Sequence, residues 1–194
     1  MNHGLSVVTA PLREPVTVEH AKLHARIDLD TEDALVARWI TAAREYAEEH
    51  TGRAWVNQTL KLTLDDWPCD GCIRLPRDPV PSVSSVKYRD VNGTLTTLVA
   101  DTDYQVWLEH SPPLIAPAPN KVWPPLQTGR LKAVEVEFVA GYGASNGWPA
   151  RADAAIFAAL TYWSRNRGDG RDPTMRGMPE GAIAILDNLW TGAY

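Results

Sequence analysis

Apolar and polar positions along this chain follow two different periods. Up to about residue 54 the apolar residues recur every three or four positions; they then alternate to about 147, and helical spacing returns after Trp148. "EPVTVEHAKLHARI" predicts a short helix ending near Arg26, with Thr17 as its N-cap behind a proline. "DLDTEDALVARWITAAREYAEEHTGRA" predicts the clearest helix. Asp30 or Thr31 caps it, Glu32 and Asp33 place negative charge in its first turn, and Gly52 stops it. Leu35, Val36, Trp39, Ile40, Ala43, Tyr46 and Ala47 form the apolar stripe. Arg38, Thr41, Glu45 and Glu48 fall on the polar side.

From Trp55 the period is two. In "TLKLTLDDW" Leu60, Leu62 and Leu64 face one way and Thr59, Lys61, Thr63 and Asp65 the other. "SVSSVKYRDVNGTLTTL" alternates around Asn92-Gly93, a dipeptide suited to a tight hairpin because both residues tolerate positive φ. "DYQVWL" and "AVEVEFVAGY" predict two more strands, the second with Val134, Val136 and Phe138 inward and Glu135 and Glu137 outward. Between them "SPPLIAPAPNKVWPPLQTG" holds six prolines and is expected to be irregular.

Helical patterning resumes after Pro149. "ARADAAIFAALTYWSRN", with Ile156, Phe157, Leu160 and Trp163, is apolar nearly all round and is expected at the centre of a bundle. A loop rich in Gly, Arg and Asp then leads to an amphipathic last helix, "PEGAIAILDNLW". The fold class is therefore α+β: a helical bundle formed by N- and C-terminal helices with an inserted antiparallel β section. The expected division is 1–54 for the N-terminal helices, 55–147 for the β section and 148–194 for the helices that complete one domain.

Composition narrows the function classes. The 194 residues suffice for a substantial core, and a net charge of −5 argues against a broad basic surface that would hold nucleic acid. With eight tryptophans against two phenylalanines, Trp and Tyr must supply the large aromatic anchors. The first residues lack a basic stretch followed by a long apolar one, so no signal peptide is expected, and no apolar run is long enough to span a membrane.

Candidate chemistry is sparse. The only two cysteines, Cys69 and Cys72, stand three apart around Asp-Gly. Structural zinc requires four ligands, and a redox CxxC requires a helix N-terminus to lower the thiol pKa. This pair has no second CxxC and lies between two β segments, which predicts a hairpin turn with incidental cysteines. His20 and His24 are four apart on the first helix, but no glutamate accompanies them as a metalloprotease pattern needs. "DLDTED" lacks the glycine and closing glutamate of a calcium loop, so helix capping accounts for its acids. "GYGASNG" does not match G-x-G-x-x-G and reads as a strand-to-helix loop. No nucleophile stands in a recognisable setting. Neither cofactor nor metal is expected.

The order and wording of several segments resemble a known family. "EPVTVEHAKLHARIDLDTEDALVARWITAAREYAEEHTGRAW", "LTLDDWP…IRLPRDPVPSVSSVKYRDVNGT", "VEFVAGYG…WPA" and "AAIFAALTYWSRNR" look like the head–tail connector (neck adaptor) proteins of long-tailed bacteriophages, prophages and phage-like gene transfer agents. The resemblance implies a ring subunit, dodecameric in the particle, that sits below the portal, extends the DNA channel and offers an attachment surface to the tail. It implies a portal protein and a stopper or tail-completion protein as partners, and DNA passing without sequence-specific binding. It places the protein in the neck of a virion or phage-like particle and, during assembly, in the host cytoplasm. It carries no catalytic residues.

Two alternatives stay open at this point. The last helix either packs on its own domain or reaches the portal, with Trp190 and Tyr194 as anchors and Arg165, Arg167, Arg171 and Arg176 facing acidic portal surface. The competing function class is a small metal- or thiol-dependent enzyme using Cys69/Cys72 and His20/His24.

Overall fold

The computed structural model describes residues 3–28, 30–143, 147–166 and 177–190. Helix α1 spans Val18–Ala25; the Thr17 hydroxyl accepts the His20 N–H at 3.2 Å, and Arg26 ends the helix in the left-handed region. Helix α2 spans Asp33–Thr51 and stops at Gly52, whose φ of 69° suits a residue without Cβ. Its start differs from the expectation. A single 3₁₀ turn, Asp30–Glu32, leads into it, and no side chain caps it. The Asp30 and Asp33 carboxylates instead each lie 2.7 Å from Lys22 Nζ, tying α2 to α1. Helices α3 (Ala150–Arg165) and α4 (Glu180–Asp187) each follow a proline in extended conformation.

The four helices close one apolar core. Val36, Ile40, Ala43 and Ala47 of α2 meet Ala152, Ala155, Ile156, Ala159 and Leu160 of α3 and Ala182 and Leu186 of α4. Trp55 and Trp148 fill the end nearest the strands. Trp39, expected mid-stripe, is only partly buried, and Leu35 is exposed.

The eight strands form two antiparallel sheets packed face to face. The larger has the order β1-β2-β8-β4-β5, with β1 His3–Thr9, β2 Gln58–Leu64, β8 Val134–Ala140, β4 Ser82–Arg89 and β5 Leu95–Leu98. The smaller has the order β3-β7-β6, with β3 Ile73–Arg74, β7 Leu114–Pro117 and β6 Tyr104–Trp107. Between them lies a second core of Leu60, Leu62, Leu64, Val86, Val134, Val136 and Phe138 against Ile73, Leu75, Tyr104 and Ile115. Alternation along β2 and β8 was therefore a faithful guide to the buried face.

Several local expectations change. The β4–β5 hairpin turns through Asp90–Thr94 with only Gly93 at positive φ; the Asp90 carboxylate accepts the Asn92 and Thr94 N–H groups, each at 2.9 Å. That is a longer loop than a two-residue turn, set by an aspartate one position past the strand. Asp70-Gly71 forms a turn but not a hairpin, because β2 pairs with β1 and β8 while β3 pairs with β7 in the other sheet. The proline-rich stretch contains β7, since Leu114–Pro117 needs few ladder donors at this length. β1 comes from the N-terminal segment, where only helices were expected. Beyond β8, Gly141 passes so close to the neighbouring loop that an added Cβ would lie 2.6 Å from Val56 C and Asn57 N.

Candidate functional surfaces

Two polar joints link the helical core to the sandwich. In the first, Arg44 Nε lies 2.8 Å from Glu14 Oε2 and Nη1 lies 2.9 Å from Glu48 Oε2. Glu48 Oε1 also accepts the Trp55 N–H at 2.8 Å, and its carboxylate takes the Gln58 amide at 3.2 Å. Arg77 reaches the Glu48 carbonyl. Burial opposes the charge on Arg44, but hydrogen bonds to Glu14 and the field of Glu48 outweigh it and hold the guanidinium above its usual range. Sequence reasoning put Glu48 on the solvent side. Its position four residues after Arg44, which is itself four after Ile40 and eight after Val36, was the available signal: a buried row that changes from apolar to paired charge.

The second joint centres on Arg53. Its Nε donates to the Leu189 carbonyl at 2.8 Å, and its Nη1 donates to the Tyr142 hydroxyl at 2.6 Å and lies 3.8 Å from Asp78. His50 meets Asp187 at 2.7 Å beside it. The end of α4 is thus fastened to α2 and to two loops of the β section. Burial raises the Tyr142 hydroxyl pKa, partly offset by Arg53.

The cysteine turn is a structural corner. Gly71 N–H returns to the Pro68 carbonyl at 2.9 Å with φ at 76°, and Asp70 pairs with Arg74 at 2.6 Å. Arg74, together with the Cys72 N–H, holds the Asp70 carboxyl below its usual range. Trp123 donates its indole N–H to the Gly71 carbonyl at 2.9 Å and stacks on Trp67, ring centres 4.3 Å apart and ring planes nearly parallel. Trp67 in turn donates to the Pro124 carbonyl at 2.8 Å. No sequence pattern announced this pair, because its members are brought together only by the long excursion between β7 and β8. Both cysteines are free, Cys69 exposed and Cys72 partly so. His20 and His24 are exposed on α1, and His24 stacks on Phe157 at 4.6 Å. Among the described residues no three metal-binding side chains converge.

The residues expected to dock are dispersed. Arg165 is exposed at the C-terminal end of α3, beside Pro179 and Gly181 at the start of α4. Trp190 follows the far end of α4 and is 60% exposed. Arg167, Arg171, Arg176 and Tyr194 lie outside the described residues. α4 itself packs at home, with Ala182 and Leu186 fully buried. The outward face of the larger sheet carries mixed charge, with Lys61 opposite Glu137 and 3.6 Å from Glu135, and Lys87 opposite Glu135.

Residues 15–94 match the family described as phage gp6-like head-tail connector protein. A chain from the neck of an empty GTA particle computed with C6 symmetry superposes with a TM-score of 0.79 at 27% identity, covering 97% of this chain and 95% of that one. The chain is similar to head–tail connector proteins. A chain of the native gene transfer agent virion matches this one with a TM-score of 0.78 at 27% identity, over 96% of this chain and 95% of that one. One from the neck of the native GTA particle computed with C12 symmetry gives 0.72 at 27%, over 97% and 95%. No curated protein sequence matches this chain. The family and these relatives indicate a structural protein, and they leave the enzyme built on Cys69/Cys72 and His20/His24 without support. The family match includes Cys69–Arg74 and, of the first joint, Arg44, Glu48, Trp55, Gln58 and Arg77, but leaves out Glu14, Trp123, Arg165 and Trp190. Among the described residues no helix is long and apolar enough to cross a membrane.

Proposed function

We propose that this connector assembles as a homo-oligomeric ring of twelve copies in the neck of a phage or phage-like particle, carries out no catalytic step, and continues the DNA channel from the portal toward the tail. The observation that carries this reading is the likeness, along nearly the whole chain, to subunits of necks computed with C6 and C12 symmetry. In this reading the portal protein lies on one side of the ring and a stopper or tail-completion protein on the other. DNA slides through without sequence-specific contacts, which suits a chain of net charge −5. The helices of 1–54 and 148–194 act as one end of the subunit and the β section of 55–147, extended by β1, as the other. The helical part, whose sequence carries Arg165, Arg167, Arg171, Arg176, Trp190 and Tyr194, offers the surface that docks on the portal.

Negative-stain microscopy and native mass spectrometry test this, on the purified chain alone and mixed with tailless DNA-filled heads. Rings of twelve, free or capping the heads at one vertex, are expected. A chain that stays monomeric and does not attach to heads contradicts the reading.

A further inference from the structure

The larger sheet has two edges, and neither edge strand carries a charged residue or a proline. Such strands are normally blunted with lysine, proline or a covering element, because their unpaired N–H and C=O groups invite another strand. β1 runs seven residues without a charge or a proline, and Gly4–Thr9 are exposed. Its one irregularity falls between Val7 and Thr9, which leaves a regular run before it. Leu5 stands opposite Leu62 and Val7 opposite Leu60, so both point to the inner face, where Leu60 and Leu62 are buried. Yet Leu5 and Val7 are 37% and 58% exposed, and no residue of β1 belongs to the core between the sheets. At the opposite edge, β5 reads Leu-Thr-Thr-Leu, again uncharged, with Leu95 and the following Val99 exposed.

Strand direction makes these two edges complementary. Every neighbouring pair in the order β1-β2-β8-β4-β5 is antiparallel, so across five strands β1 and β5 run the same way. A cyclic ring needs two different patches that meet head to tail, and rotation about the ring axis preserves a strand's sense along that axis. One copy's β5 then meets the next copy's β1 in parallel.

We propose that β1 of one subunit adds in parallel to β5 of the next, joining the five-stranded sheets into a continuous belt around the ring. The occupant of each edge is thus a second copy of this chain. The proposal rests on the ring described under Proposed function and names the contact that closes it.

The test uses the full chain with Cys69→Ser and Cys72→Ser, to which Ser6→Cys on β1 and Thr97→Cys on β5 are added singly and together. Rings seen by negative-stain microscopy are treated with a bismaleimide of about 10 Å reach, roughly two strand spacings, so that the unknown register does not matter. The double-cysteine chain is expected to give a ladder of covalent multimers up to the ring size, and each single-cysteine chain only monomer. Rings that give no ladder overturn the edge pairing while the ring itself stands. A covalent dimer from the Ser6→Cys chain alone also overturns it, because β1 then meets β1. Absence of rings in every chain, the parent included, overturns both. Val7→Lys with Val8→Lys charges the edge at two exposed positions, and is expected to abolish rings with the melting temperature unchanged. Rings that survive it refute the pairing.

Discussion

Arg44 Nη1 sits 2.9 Å from Glu48 Oε2, one turn further along α2, and both side chains are buried. Breaking such a pair leaves an uncompensated charge out of water. Glu48→Ala is expected to cost about 3–5 kcal/mol, and it also strips a partner from the Trp55 N–H and Gln58. Glu45→Ala removes an exposed carboxylate 3.7 Å from the same guanidinium and should cost less than about 1 kcal/mol. Urea denaturation of the two variants checks this; coincident midpoints would show that the joint contributes nothing.

The last helix belongs to the core. Leu186→Ala should cost about 2–5 kcal/mol because the site is fully enclosed, whereas Trp190→Ala should stay within about 1 kcal/mol. Deletion of residues 179–194 removes Ala182 and Leu186 together and is expected to yield a chain that no longer folds cooperatively. Thermal melts followed by circular dichroism decide it. A sharp, near-native melt of the truncated chain would place the core's integrity elsewhere.

Cys69→Ser with Cys72→Ser should alter stability by less than about 1 kcal/mol, since the corner is held by Asp70, Arg74 and the Trp67–Trp123 stack rather than by sulfur. Trp123→Ala should be far more damaging there. Metal analysis of the purified parent chain by mass spectrometry adds a second check: stoichiometric zinc, lost in the double serine variant, would contradict the structural corner.

Asp153 gives a pH dependence of known sign. Burial raises its carboxyl pKa, although the Trp148 indole donates to it at 2.8 Å and pulls the other way. The folded chain therefore binds this proton more tightly than the unfolded one. The stabilisation is present below the unfolded value and is lost as pH rises through the raised folded value. Asp153→Asn keeps an oxygen acceptor for Trp148 and never ionises. Its stability relative to the parent should grow as pH rises above the ordinary carboxyl value of 3.8. Chemical denaturation at several pH values reads this directly, and a difference that shrinks over that range would reverse the assignment.

The parts legible in the sequence were those in which burial follows a period. Val36, Ile40, Ala43 and Ala47 lie on a helical stripe, and Leu60, Leu62, Val134, Val136 and Phe138 on alternating strands, so spacing alone located both cores. β1 and β7 escaped because each needs a distant partner to become a strand: Leu5 meets Leu62, and Ile115 meets Ile73. Glu48 escaped for a different reason. A charged residue reads as solvated until its counter-charge, here Arg44, is counted in the same row. The docking surface was the least legible feature, because Arg165 and Trp190 sit at opposite ends of α4 and no period marks exposed residues that meet another chain.

The Arg53 clasp has a geometric consequence. Apolar contacts tolerate sliding, whereas hydrogen bonds weaken steeply once distance or angle drifts. Joining the bundle to the sandwich through directional bonds at Leu189, Tyr142 and Glu48 therefore sets the angle between them more narrowly than a greasy hinge could. In a closed circle any angular error repeats with every copy, so a deviation that is trivial in one subunit accumulates into a gap or an overlap around the whole. The polar joints act as a tolerance specification: they make each copy the same wedge.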